Sequence, residues 1–189
     1  ADLYRPENGR HAAVLLFLGV NPAGRDDPRV IGLAQGLARA GLVVMVPWSQ
    51  AMVEKRIESA DLDNLVQAFR YLRGLPYVDS QRVGMGGFCV GASFAAIAAA
   101  DPRINDQVAF VNFFSGYFDA RDLLVAIASG TTFYGQERST WEPGDLTREI
   151  LTLHLIRGME APQDRGLLGR VFLEGQEATP EELESLSPP

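Results

Sequence analysis

The stretch Arg82 to Ala100, RVGMGGFCVGASFAAIAAA, constrains the fold of this chain more than any other. Val83, Met85 and Phe88, with glycines between them, predict a short buried strand, and the Ala-rich run from Ala92 predicts a helix. Cys89 falls at the turn between the two, and the strand after Phe88 has to reverse within very few residues.

Gly87-Phe88-Cys89-Val90-Gly91 has the form Gly-x-nucleophile-x-Gly. A turn this sharp holds its central residue in a strained conformation and brings the positions two before and two after it so close that both must be small. It also presents the central side chain at the N-terminus of the following helix, where unpaired N–H groups and the helix dipole favour an anion. An oxyanion forming there would meet the N–H of Val90. A plainer reading makes Cys89 a small buried hydrophobe packing a strand on a helix; the glycine spacing and the strand-turn-helix context favour the elbow.

From Val14 to about Tyr117 the sequence resembles an α/β-hydrolase, and the Cys in the elbow makes it most similar to the dienelactone hydrolase branch. The resemblance covers somewhat more than half of the chain. It implies an ester- or lactone-cleaving enzyme with a Cys–His–Asp triad and an acyl-enzyme intermediate. It also implies a second oxyanion donor in the loop after the first buried strand. Gly19 stands at the glycine of that loop and Val20 would bring the N–H, while Leu18 occupies the place where a His often lies. A plain strand-to-loop turn explains Gly19-Val20-Asn21-Pro22 equally well.

The rest of the chain fits the fold the elbow demands. Ala12 to Leu18 is a near-continuous apolar run of the kind buried on both faces of a parallel sheet. Asp27 as N-cap and Pro28 at the first helical position open a helix whose stripe is Val30, Leu33, Ala34, Leu37 and Ala38, with Gly41 closing it. Leu42 to Val46 gives a second strand, Asp61 to Leu72 a second helix, Pro76 to Ser80 a turn before a strand starting at Arg82, and Gln107 to Phe114 a further strand. This alternation predicts a doubly wound, mainly parallel α/β sheet with ligands at the carboxyl ends of its strands.

The expected domains are an α/β-hydrolase core over 1–116, elbow included, and a helical cap over 117–189. Tyr117 and Trp48 lie at strand ends. Phe118, Phe133, Tyr134 and Trp141 sit in an aromatic-rich excursion where α/β-hydrolases often carry a cap. All six are candidate pocket walls, with packing of the cap as the alternative. Helices are expected from Asp122, from Asp145, over Gln163 to Leu173 and after Thr179, where Glu182 completes a capping box.

The triad is harder to find. Of the two histidines, His11 precedes the first buried strand, and His154 lies between Leu153 and Leu155 in a helix-like segment. His154 is thus a weak candidate base, with a packed or surface role preferred. Asp119 follows the strand after the elbow, a place some α/β-hydrolases use for the acid, but turn and cap roles suit it as well.

Three explanations stand. The chain is part of a longer hydrolase whose acid and base lie elsewhere, as its opening on Ala1 and its Pro188-Pro189 end suggest; it is a degenerate relative that binds a small ligand; or Cys89 works with an unusual partner such as His154. The competing function class is accordingly a non-catalytic small-molecule-binding or interaction module.

Composition narrows the partners. Net charge is −7, with five of the 24 acidic residues and no basic one after Arg170, so no basic patch is offered to nucleic acid or an anionic membrane. The apolar run Ala12 to Val20 is too short to span a bilayer. A single cysteine excludes an internal disulfide framework and suits a reducing, cytoplasmic setting. No cofactor and no metal site is expected; the expected partner is a small ester or lactone, and self-assembly into a homo-oligomer is left open.

Overall fold

The computed structural model describes residues 1–187. It divides into two compact units, Ala1–Phe118 and the segment from Asp119 onward.

The first unit is a five-stranded sheet in the order β1-β3-β2-β4-β5, built from Asp2–Tyr4, His11–Phe17, Val43–Val46, Val78–Phe88 and Val111–Phe114 in chain order. β2 is parallel to β3 and β4, and β4 is parallel to β5; β1 alone runs antiparallel, pairing Asp2 with Val46 on the outer side of β3. The alternation of β2 fixes its two faces. Ala13, Leu15 and Phe17 enter one core with Leu65, Phe69, Phe94 and Ala95, while Val14 and Leu16 enter the other with Val30 and Ala34. Helices α3 (Ala60–Arg73) and α4 (Val90–Ala99) therefore cover one face and α1 (Pro28–Arg39) the other, which is the doubly wound α/β arrangement. A one-turn α2 (Gln50–Val53), capped by Ser49, precedes α3.

Local signals act as expected. The Asp27 carboxylate accepts from the Arg29 backbone N–H at 2.9 Å and caps α1. The Arg29 guanidinium, followed by that backbone N–H, holds the Asp27 carboxyl far below the usual carboxylate range. Gly41 adopts φ +99° just past the end of α1.

Two boundaries and one stripe residue differ from expectation. β4 begins at Val78 rather than Arg82, because Tyr77–Val78 already pairs with His11 at the start of β2. β5 is regular only over Val111–Phe114, since Asn105–Gln107 forms a 3₁₀ turn, although Ala109 N–H donates to the Val83 carbonyl and extends the pairing toward β4. Leu33, placed on the apolar stripe of α1, is exposed. β5 is also an edge, with all four of its residues exposed, Phe113 at 48% and Phe114 at 59%. Among the described residues no strand pairs with its outer side.

In the second unit, α5 (Ala120–Ser129) leads into an antiparallel hairpin, β6 (Thr131–Tyr134) and β7 (Glu137–Thr140), followed by α6 (Asp145–Gly158), α7 (Pro162–Phe172) and α8 (Pro180–Glu184). The hairpin turns at Gly135-Gln136, with Gly135 at φ +63°. At α8 both halves of the Thr179–Glu182 capping box form. No helix among the described residues is long and apolar enough to cross a membrane.

Candidate active site

Cys89 joins β4 to α4 with φ +53° and ψ −134°, a conformation a side-chain-bearing residue adopts only when its surroundings enforce it. The glycines supply that enforcement. A β-carbon on Gly87 would lie 2.4 Å from the Gly91 carbonyl oxygen, and one on Gly91 would lie 2.4 Å from both the Gly19 nitrogen and the Phe17 carbonyl oxygen. The backbone reversal thus packs against itself and against the end of β2. Cys89 N–H donates to the Phe114 carbonyl at 3.0 Å, tying the turn to the end of β5, and the thiol stays exposed at the surface.

The same close packing brings the loop after β2 to the start of α4. Gly19 has φ +74°, and a β-carbon there would meet Gly91 N at 2.8 Å and the Val90 side chain at 2.9 Å. Val20 and Val90 follow and precede those two glycines. Neither N–H donates within the turns, loops and helix caps.

Tyr117 ends the loop after β5 and packs, partly buried, on the core that contains Val90 and Phe94. Burial first, and then the negative charge of an ionised Cys89, push its phenol above the usual range. The carboxyl ends of β2, β4 and β5 therefore carry Val20, Cys89 and Tyr117 together.

Other residues singled out in the sequence have different surroundings. Trp48, after β3, turns its indole N–H to Asp2, whose carboxylate accepts it at 2.6 Å and binds Arg25 as well. It borders a small crevice with Phe17, Gly19, Asn21 and Met52. Phe118 is fully exposed. Phe133 and Tyr134 lie on β6 and are exposed, and the Trp141 N–H donates to the Gly130 carbonyl in the second unit. His154 is on α6, its Nδ1 donating to the Ile150 carbonyl one turn back at 2.8 Å. Asp119 is the N-cap of α5, accepting from the Arg121 N–H at 2.7 Å. His11 lies at the amino end of β2, beside Val78 and at the opposite sheet edge from the elbow. Among the described residues no cluster of His, Cys, Asp and Glu could hold a metal ion.

Sequence reasoning missed Ser93. Its hydroxyl donates to the Tyr117 carbonyl and accepts from the Tyr117 N–H, both at 3.0 Å. A serine in an alanine-rich helix four residues after the elbow was the available signal, since that position is one helical turn above Cys89.

Residues 47–136 match the model of the Dienelactone hydrolase family. No curated protein matches the sequence significantly. Among solved structures, 2,6-dihydroxy-pseudo-oxynicotine hydrolase aligns over 87% of this chain and 41% of its own, at 16% identity and a TM-score of 0.57. A protein assigned as a dienelactone hydrolase from Klebsiella pneumoniae subsp. pneumoniae MGH 78578 aligns over 61% and 53%, at 16% identity and 0.50. An esterase of Pyrobaculum calidifontis aligns over 89% and 50%, at 17% and 0.50. This chain thus spans about half or less of the length of these three structures. With the elbow, the doubly wound sheet and these alignments taken together, the chain has an α/β-hydrolase fold, and its segment 47–136 is similar to the dienelactone hydrolase family.

Proposed function

We propose that this chain carries the nucleophile and oxyanion site of a hydrolase that cleaves a small ester or lactone. The observation that carries the reading is the left-handed backbone of Cys89, exposed between two glycines that have no room for a side chain. Strain of that kind is kept where a side chain has to be presented for chemistry.

The reaction would run in two stages. A base takes the proton of the Cys89 thiol, and the sulfur attacks the carbonyl carbon of the substrate. The resulting oxyanion is held by the N–H groups of Val20 and Val90. Collapse breaks the carbon–oxygen bond, the alkoxide leaves with the proton from the base, and a thioester remains on Cys89. Water activated by the same base then releases the acid and restores the thiol.

His154 and Asp119, the candidate base and acid, make local contacts within the second unit. We therefore assign the base and its acid to loops of a longer chain whose added strands would extend the free edge of β5. Tyr117 and Trp48 would wall the pocket. The free thiol is the form a reducing, cytoplasmic compartment keeps. The local roles of His154 and Asp119 also favour the second reading, a small-molecule-binding module that retains the elbow without turnover. In the full protein, Cys89→Ala should abolish hydrolysis of activated esters. Unchanged turnover would overturn the assignment.

A further inference from the structure

We propose that Ser93 is a positioning residue: by locking the main chain of Tyr117 it holds the Tyr117 ring as a wall beside Cys89 and limits the size of the acyl group that reaches the thiol. This rests on the reading of Cys89 as nucleophile.

The geometry begins with an exception. α4 is built almost wholly of alanine and other apolar residues, and Ser93 is the polar side chain within it, only 4% exposed. A hydroxyl buried there without partners would cost free energy, so it has to be bonded. A helical serine ordinarily bonds back to a carbonyl of its own helix. Ser93 instead reaches the neighbouring loop, donating to the Tyr117 carbonyl and accepting from the Tyr117 N–H, each at 3.0 Å. A hydroxyl has one proton, so this pair of bonds fixes its rotation and the placement of the tyrosine backbone together.

A second tie anchors the other end of that loop. Cys89 N–H donates to the Phe114 carbonyl at 3.0 Å. Ser115 to Tyr117 are therefore clamped between two ties, a single bond from Cys89 itself and the pair from the residue a helical turn later. The intervening Ser115 sits at φ +53°, a left-handed conformation the ties maintain. Moving Tyr117 requires breaking contacts to the same turn that presents the thiol. The influence of the Cys89 charge on the phenol agrees with that closeness.

Cys89 is the sole cysteine, so alkylation of the intact protein reports on it alone. The test compares rate constants for N-methylmaleimide and N-phenylmaleimide in the unmodified chain, S93A, Y117A and the double variant. The unmodified chain should prefer the smaller reagent, and S93A should shrink that preference by about ten-fold, at the low end of what a pocket wall discriminates. Y117A should do the same, and the double variant should go no further than Y117A, because Ser93 acts through Tyr117. A purely structural role for Ser93 would change both rates in proportion and leave the ratio alone.

A ratio unchanged in folded S93A overturns the proposal. So does an unchanged ratio in Y117A, which needs no S93A protein, and so do additive effects in the double variant. Intact-mass spectra after exposure to p-nitrophenyl acetate separate this from the underlying reading. An acyl adduct on Cys89 with unchanged ratios defeats only the clamp, whereas no adduct on any variant defeats the nucleophile.

Discussion

Gly19 and Gly91 touch backbone to backbone: a β-carbon on Gly91 would lie 2.4 Å from the Gly19 nitrogen, and one on Gly19 would lie 2.8 Å from the Gly91 nitrogen. This contact joins the loop after β2 to the first turn of α4. It sets Val20 and Val90 side by side in the fold, which is what a two-donor oxyanion site requires.

Gly91→Ala should therefore destabilise the first unit by roughly 1–3 kcal/mol, as overpacking does, and should lower Cys89 reactivity. Gly32→Ala is the control. That glycine lies inside α1 with open space around its α-carbon, so the substitution should stabilise by about 1 kcal/mol. Chemical denaturation of both variants checks the pair, and equal effects would contradict the packing account.

The Asp27 carboxyl is held below its ordinary range chiefly by the Arg29 side chain. A folded-state pKa lowered in this way gives stability that is present above the unfolded value and lost as pH falls toward the folded one. Asp27→Asn keeps a capping side chain and removes the charge, so the stability gap between the two proteins should be full near pH 6. It should narrow steadily below about pH 4, where the free carboxyl titrates. Denaturation midpoints across that range measure it; a gap independent of pH would show that the charge contributes nothing.

The exposed β5 edge carries Val111, Phe113 and Phe114 in the open. An unpaired apolar edge invites strand pairing between molecules, so the 189-residue chain should self-associate as its concentration rises. Val111→Lys places a charge on that edge and should raise the monomer fraction in sedimentation velocity. Identical distributions for the two proteins would mean that association, if present, runs through another surface.

Much of the first unit was legible because its signals are local. The apolar run Ala12 to Leu18, the Asp27-Pro28 start of α1 and the elbow glycines each act within a few residues, and each appears in its place, the strand itself running over His11–Phe17. The extension of β4 back to Val78 was not legible, because it depends on pairing with His11, far away in sequence. The β6–β7 hairpin had a signal in Gly135-Gln136 between two β-prone runs, but the aromatics around it drew the reading toward a cap. Exposure of β5 could not be read from its own residues, since Val111, Phe113 and Phe114 are as apolar as those of a buried strand; burial depends on what lies alongside. Ser93 was missed for a similar reason, its partner lying 24 residues away.

The central claim is that Cys89 is a nucleophile, and the most direct measurement is intact mass of the protein before and shortly after mixing with a short-chain activated ester, followed by peptide mapping. The account predicts a transient increase of one acyl group, located on Cys89 and absent from Cys89→Ala. A mass that never changes, or an acyl group located on another residue, would contradict it.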